Sequence, residues 1–214
     1  MPAGLFITFE GTEGCGKSTQ AARLADRLRA RGRTVRLLRE PGGTPIGEEI
    51  RHTLKHSAEN GAMTPEAELL LMNASRAQLV REVIRPALAA GEVVVCDRYH
   101  DSTTAYQGHG RQLDLGHVQS VLDFAIGDTR PEITLWLRVP LSLSEARRAA
   151  RLQRQPGLRD RFEEADRAFF ERVDLGYLSI AAAEPERVRV IDATKPVEAV
   201  AAEIWVHIEP LVGR

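Results

Sequence analysis

Short apolar runs alternate along the chain with segments in which apolar residues recur three and four positions apart. Between the first two runs, residues from Ala21 to Leu28 follow the helical spacing, and Gly32 stands in the usual position of a helix stop. The short runs have the length and composition of strands. The predicted strands are Leu5–Glu10, Thr34–Arg39, Glu92–Cys96, Glu132–Val139 and Arg187–Ile191.

Some of these runs are apolar without interruption, as in Val93, Val94 and Val95. Strands of this kind are covered on both faces, which is typical of a parallel sheet between two layers of helices. The pattern therefore predicts an α/β three-layer sandwich with a five-stranded parallel sheet. Ligands of such sheets bind at the carboxyl ends of the strands.

Residues Thr64–Ala90 form one long helical pattern that contains Pro86, where a kink or a stop is expected. The chain has no internal repeat, low-complexity tract or linker. We therefore expect residues 1–214 to form a single domain.

Composition excludes several classes of protein. Hydrophobic residues make up 43% and charged residues 28%, which is typical of a globular chain, and 29 basic residues balance 30 acidic ones. No overall field draws the protein to nucleic acid or to an anionic membrane. Two cysteines, Cys15 and Cys96, are too few for a disulfide scaffold, and no apolar run approaches the roughly 18 residues of a spanning helix. A cytoplasmic location is expected.

Residues Gly11–Ser18 match the pattern G-x-x-x-x-G-K-[ST] directly after a predicted strand and directly before a predicted helix. Glycines let backbone N–H groups turn towards phosphates, and Lys17 adds a full charge. Ser18 is the expected Mg²⁺ ligand. The motif predicts a nucleotide triphosphate site in a P-loop NTPase fold. The expected ATP-binding residues are Gly11, Thr12, Glu13, Gly14, Cys15, Gly16, Lys17, Ser18 and Thr19.

Asp97 ends the buried run of valines, as the Walker B carboxylate does when it holds Mg²⁺. An aspartate in this position can equally cap the next turn. The neighbouring P-loop motif favours the metal role, so Mg²⁺ at Ser18 and Asp97 is expected together with ATP.

Three further motifs narrow the function: Arg39–Thr44 (REPGGT), Asp97–Tyr99 (DRY) and Ser102–Gly108 (STTAYQG). Together with the P-loop they resemble bacterial thymidylate kinases. The resemblance runs in order from Phe9–Gly11 to Ile191–Thr194. It implies a homodimer that transfers the γ-phosphoryl group of ATP to dTMP and gives dTDP and ADP.

The resemblance also implies roles for residues of the acceptor site. Glu13 matches a carboxylate that meets the 3′-hydroxyl, Arg51 and Arg98 match clamps on the acceptor phosphate, and Tyr106 matches a tyrosine that crowds the 2′ position. Guanidinium groups suit phosphate oxygens well. Ser102 belongs to the same motif as Tyr106 and is assigned to the dTMP site.

Near the base, Arg76 and Gln107 match groups of the family that lie at the base edge. The family carries a stacking phenylalanine where this chain has Met72. Methionine can pack on a base through its polarizable sulfur but offers no flat face, and Met72 could equally be a core residue.

A basic segment between Glu145 and Arg161 is the candidate lid. By itself it would suggest a solvated basic helix, but phosphoryl transfer benefits from an arginine finger, worth about 10³–10⁵ in rate. Some members of the family that this chain resembles carry an arginine in the P-loop, whereas this chain has none there. The resemblance therefore implies that the lid supplies it. The favoured residues are Arg151 and Arg154, with Arg159 as the alternative.

Other classes of P-loop protein are alternatives to a thymidylate kinase. A kinase for another nucleoside monophosphate or for a deoxynucleoside would share most of these motifs. A GTPase switch would need an Asn-Lys-x-Asp motif, and an ABC-type subunit would need a Leu-Ser-Gly-Gly-Gln-like signature; the sequence contains neither.

Overall fold

The computed structural model describes residues 4–154, 161–162 and 165–213, and only the backbone of residues 151, 152 and 154. The strands are β1 (Leu5–Glu10), β2 (Val35–Arg39), β3 (Val93–Asp97), β4 (Ile133–Arg138) and β5 (Val188–Asp192). The helices are α1 (Lys17–Arg29), α2 (Pro45–Lys55), α3 (Pro65–Leu79), α4 (Arg85–Ala89), α5 (His100–Thr103), α6 (Leu115–Ile126), α7 (Leu141–Arg154), α8 (Arg167–Ala183) and α9 (Val197–Val212). A 3₁₀ turn spans Ala58–Ala62, and π-helical turns span Val80–Ile84 and Thr104–Gly110.

The five strands form one sheet in the order β2-β3-β1-β4-β5, and every neighbouring pair is parallel. The predicted sheet and its five strands are therefore confirmed, with strand ends displaced by a residue. Because β1 and β3 are central neighbours, the loops that follow them emerge side by side at the carboxyl edge.

Both faces of the sheet are covered, as the uninterrupted apolar strands predict. Along β1, Ile7 and Phe9 pack in a core with Leu28 of α1 and Ile204 of α9. Phe6 points to the other face, where it joins a core with Ile84. Alternate residues of a strand point to opposite faces, so a strand between two helix layers is apolar at every position.

The helical pattern over Thr64–Ala90 is confirmed in a modified form. The helix does not stop at Pro86: α3 runs through the π-helical turn Val80–Ile84 into α4, and the chain stays helical to Ala89. Pro86 lies in the first turn of α4. Because the helix is continuous there, the π-helical turn directly before Pro86 is where it adapts to the missing N–H group and the ring of the proline.

Among the residues that the structure describes, no helix combines the length and the apolar character needed to cross a bilayer.

Candidate active site

The loop between β1 and α1 adopts a backbone that glycine accepts readily. Gly11, Gly14 and Gly16 have φ values of 133°, 77° and 100°. A Cβ on Gly11 would lie 2.4 Å from the carbonyl oxygen of Leu137, so a side chain there would force the loop away from β4. Gly16 is the N-cap of α1. The first N–H groups of that helix have no partner within the helix and are available to an anion.

Lys17 folds back over this loop. Its Nζ donates to the carbonyl oxygens of Gly11 and Thr12, both at 2.9 Å, and lies 3.5 Å from the Sγ of Cys15. Thr12 and Cys15 are buried, whereas Thr19 is exposed on the first turn of α1. The ammonium group is therefore held within the loop that is predicted to bind the phosphates.

Ser18 and Asp97 are 79 positions apart in sequence, and the structure brings them together. The Oγ of Ser18 donates to the Oδ2 of Asp97 at 2.5 Å. A hydroxyl and a carboxylate are hard oxygen donors, which fit Mg²⁺ when phosphate oxygens and water complete its shell. Within the described ranges, no group of three or more His, Cys, Asp or Glu side chains could hold a metal. The pair suits an ion that is delivered with ATP.

Arg98 is the centre of a second cluster beside the loop. Its Nη2 donates to the Oε1 of Glu13 at 2.7 Å and to the hydroxyl of Tyr106 at 3.1 Å, and its Nη1 donates to Ser102 Oγ at 3.0 Å. The hydroxyl of Tyr106 donates to Glu13 Oε2 at 2.8 Å. Burial raises the pKa of Glu13, but Arg98 and Lys17 outweigh it and hold that pKa below its ordinary value. Four residues predicted for the acceptor site thus share one network.

Glu10 lies beneath this network and was not among the predicted site residues. Its carboxylate accepts from the backbone N–H groups of Tyr99 and Ser102 at 2.8 and 3.2 Å, from Ser102 Oγ at 2.5 Å and from the hydroxyl of Tyr177 at 2.8 Å. Burial, and then the charge of Asp101, raise its pKa. A charged residue at the end of an otherwise uncharged strand was a usable signal for Glu10. Tyr177, 167 positions away, gave no local signal.

Comparison with known proteins gives the family. The pattern of the family described as thymidylate kinase matches residues 9–204. The thymidylate kinase of Deinococcus radiodurans is 49% identical over 208 residues, which cover 97% of this chain and 98% of that protein. The chain belongs to the thymidylate kinase family.

Further comparisons agree with that membership. The thymidylate kinase of Pseudomonas fluorescens is 49% identical over 211 residues, which cover 99% of this chain and 98% of that protein. A crystal structure of thymidylate kinase from Ehrlichia chaffeensis superposes with a TM-score of 0.76 at 31% identity, covering 97% of this chain and 99% of that chain. The resemblance to bacterial thymidylate kinases and the P-loop NTPase fold are both confirmed.

Two other predicted acceptor residues lie around the same edge of the sheet. Arg51, on α2, donates from Nη1 to the carbonyl oxygen of Pro41 at 2.9 Å. Met72 is buried in an apolar cluster that also contains Tyr106 and Phe162. This position is compatible with a core residue and with a residue that borders the nucleoside, so both assignments stay predictions.

Arg76 is engaged by protein groups on every nitrogen of its guanidinium. Nε and Nη2 lie 2.8 and 2.7 Å from Glu40 Oε2, Nη2 also donates to the carbonyl of Tyr99, and Nη1 donates to Asn73 and Thr103. The side chain is only 1% exposed. The structure thus shows a structural role for Arg76, and its predicted role at the base edge stays a prediction in this family member.

The candidate lid begins against the P-loop. Ser144, in the first turn of α7, donates from Oγ to the carbonyl of Glu13 at 2.7 Å, and Arg147 donates from Nη1 to the carbonyl of Gly14 at 3.1 Å. The predicted basic helix is present as α7. Its start is therefore fixed to the loop that is predicted to hold ATP.

The favoured finger residues fall at the limit of the described structure. The backbones of Arg151 and Arg154 belong to the last turns of α7, but their side chains lie outside the description, as does the whole of Arg159. Their assignment as fingers stays a prediction.

The buried pair of Glu40 and Arg76 gives the fold a dependence on pH. Burial raises the pKa of Glu40 from 4.5 to about 7, which Arg76 only partly opposes and Glu10 reinforces. Between pH 4.5 and pH 7 the Glu40 carboxyl is ionised in the unfolded chain, whereas in the folded chain it keeps its proton. We expect the Glu40 contribution to the free energy of unfolding to fall by about 3 kcal/mol as pH rises from 4.5 through 7.

Urea denaturation at several pH values would test this expectation by comparing the native chain with Glu40→Gln. The variant carries no carboxyl at this position, so the difference between the two stability curves should change across that window. Curves that stay parallel from pH 4.5 to 7.5 would show that folding does not raise the pKa of Glu40.

Proposed function

We propose that this chain is an ATP-dependent thymidylate kinase, which transfers the γ-phosphoryl group of ATP to dTMP and gives dTDP and ADP for dTTP biosynthesis. One observation carries the proposal: Glu13 belongs to the P-loop and also contacts Arg98 and Tyr106. The groups that suit the donor phosphates therefore lie next to the groups that suit an acceptor phosphate. Phosphoryl transfer depends mainly on this positioning and on charge stabilisation.

On the donor side, the loop from Gly11 to Thr19 would bind the phosphates of ATP. Lys17 would bring its charge to them, because its ammonium group already lies within the loop. Ser18 and Asp97 would hold Mg²⁺, which neutralises negative charge on the phosphates when bound.

On the acceptor side, Arg98 and Arg51 would clamp the phosphate of dTMP, while Glu13 meets the 3′-hydroxyl and Tyr106 borders the 2′ position. Ser102 supports Arg98 through its Oγ. A phosphate monoester is largely doubly ionised near neutrality, since its second pKa is about 6. The acceptor oxygen therefore needs no general base.

The base would lie near Met72, Arg76 and Gln107. Gln107 is fully buried, and its Nε2 donates to Glu68 at 2.7 Å. A buried amide can distinguish bases by the direction of their hydrogen bonds, since one of its ends donates and the other accepts.

We further propose that residues 1–214 act as one kinase domain in which residues 145–161 serve as the lid. Arg151 or Arg154 would then stabilise the transferring phosphoryl group. The docking of Ser144 and Arg147 onto the P-loop supports this arrangement, because it anchors the helix that carries both arginines.

The protein is further proposed to act as a cytoplasmic homodimer. Its support is the apolar surface on two helices that pack together: Leu70 of α3 is 59% exposed and Phe124 of α6 is 84% exposed. Large apolar side chains that are this exposed are often covered by a partner. No nucleic acid or membrane partner is proposed, because basic and acidic residues balance.

A substrate panel tests the function. We expect ADP release, measured in a coupled assay with ATP and Mg²⁺, to be fastest with dTMP. dUMP differs by one methyl and should be about 10–200-fold poorer in kcat/KM. dCMP should be poorer than dUMP, because its amino group reverses a hydrogen bond.

The same panel separates the alternatives. If another nucleoside monophosphate, or a deoxynucleoside, is phosphorylated fastest, the acceptor is that compound and not dTMP. The assignment of the ATP site would be unaffected. ATP hydrolysis that no acceptor accelerates would contradict a kinase altogether.

A further inference from the structure

Glu68 of α3 is a carboxylate with no exposed surface, and it lies among N–H donors. Its Oε1 accepts from Gln107 Nε2 at 2.7 Å and from Arg111 Nε at 3.2 Å. Its Oε2 accepts from Arg111 Nη2 at 3.0 Å and from Arg161 Nη1. Both carboxylate oxygens therefore need their lone pairs for guanidinium groups.

This arrangement dictates how the amide of Gln107 is turned. A carboxylate can only accept, so Gln107 must present its NH₂ group to Glu68. The opposite orientation would bring two oxygen atoms to 2.7 Å. A proton on Glu68 would not relieve that contact without opposing an N–H group of Arg111 or Arg161.

The other end of the Gln107 amide is consequently left as a buried acceptor. Its Oε1 has no hydrogen-bond partner among the residues that the structure describes. Buried acceptors are rarely unpaired, because losing water without gaining a donor costs free energy. Such an oxygen is suited to a donor that arrives with a ligand.

The acceptor bases differ in what they offer to this oxygen. Thymine and uracil carry an imide N–H at N3, which can donate to it. The N3 atom of cytosine carries no proton, so its lone pair would oppose the lone pairs of the amide oxygen. A fixed Gln107 would therefore favour one class of base.

We propose that Glu68 is a positioning residue that fixes the amide of Gln107 with Oε1 towards the acceptor base, so that the site selects pyrimidines with an imide N–H. Glu68 itself does not touch the substrate. The inference rests on the proposed function, in which Gln107 lies at the base edge.

The test is Glu68→Gln. An amide at position 68 must place its NH₂ group against guanidinium N–H groups at either end, but the Oε1 end faces one of them and the Oε2 end faces two. The NH₂ group is therefore expected at the Oε1 end, where it donates to Gln107 and turns the NH₂ group of Gln107 towards the base. We expect the dTMP-to-dCMP ratio of kcat/KM to fall at least about tenfold, which corresponds to roughly 1.4 kcal/mol. The dTMP-to-dUMP ratio should stay within about twofold, because both bases carry the imide.

Arg111→Gln is the matched control. Arg111 contacts the same carboxylate but has no hydrogen bond to Gln107, and its guanidinium packs over the ring of Phe169. It should change stability without changing the dTMP-to-dCMP ratio. A general loss of structure would lower activity with both substrates, whereas a turned amide alters their ratio.

Gln107→Leu keeps the proposal testable even if Glu68→Gln does not fold. Removing the amide should itself lower the dTMP-to-dCMP ratio, and Glu68→Gln in that background should then add nothing. The native ratio in either folded single variant would overturn the role of Glu68. A native chain that does not phosphorylate dTMP would overturn the proposed function instead.

Discussion

Lys17→Ala is expected to lower kcat for phosphoryl transfer by about 10³-fold or more. The ammonium group is held inside the P-loop by the carbonyls of Gly11 and Thr12. In the proposed function its charge would lie where negative charge gathers on the transferring phosphate. The side chain makes only two hydrogen bonds to backbone oxygens there. Its removal should therefore cost about 1–3 kcal/mol of stability and leave the chain folded.

The measurement is ADP release with ATP, Mg²⁺ and dTMP, accompanied by thermal unfolding of each protein. Lys195→Ala is the control, because Lys195 is an exposed lysine that pairs with Glu203 at 2.8 Å on the surface. It should retain native turnover. Near-native turnover in a folded Lys17→Ala protein would remove the P-loop from the mechanism.

Arg76→Ala is expected to lower the free energy of unfolding by about 3–5 kcal/mol. The substitution breaks a buried ion pair and leaves Glu40 without its cation. It also removes the donor to the carbonyl of Tyr99 and to the side chain of Thr103. The carbonyl of Tyr99 keeps the N–H of Ser102 at 3.2 Å, so the largest cost falls on the buried carboxylate of Glu40.

Urea denaturation at pH 7.5 measures this loss, and Arg23→Ala provides the comparison. Arg23 pairs with Glu198 at a similar distance of 2.9 Å, but the two side chains are 47% and 74% exposed. Its removal should cost no more than about 1 kcal/mol. Equal losses in the two variants would mean that burial does not determine the strength of these pairs.

The combination of Glu40→Gln with Arg76→Ala refines the result. Residues in one hydrogen-bonded pair do not contribute independently, so the double variant should lose less stability than the sum of the two single losses. The free energy of unfolding of Arg76→Ala must be measured before its kcat/KM values for different acceptors are compared. A partly unfolded enzyme would lose activity with every acceptor.

The position of Arg76 shows how a sequence-based assignment can be incomplete. The family resemblance suggested a residue at the base edge, yet the guanidinium also connects the residue after β2, helix α3 and the segment after β3 through Glu40, Asn73 and Tyr99. An arginine with this number of buried partners serves the fold first. We therefore propose that base selectivity depends more on Gln107, whose Oε1 is unpaired in the described structure.

Much of the fold was accessible from local patterns. Uninterrupted apolar runs identified the strands because both faces of the sheet are covered, and the P-loop motif specified glycines that adopt positive φ. At Pro86 the local preference predicted a kink or a stop. The stop is wrong because the helix continues, whereas the π-helical turn directly before Pro86 is an irregularity of the kind at which helices kink.

The sequence by itself determined the five strands, the family and the identity of the residues at the phosphate-binding loop, because these follow from short-range stereochemistry and from motifs of fixed spacing. Only the tertiary structure decided which side chains meet. The pairing of Ser18 with Asp97, the junction of Glu13 with Arg98 and the orientation of Gln107 by Glu68 all join residues far apart in the chain. Such contacts depend on how helices and strands pack, and no local pattern encodes them.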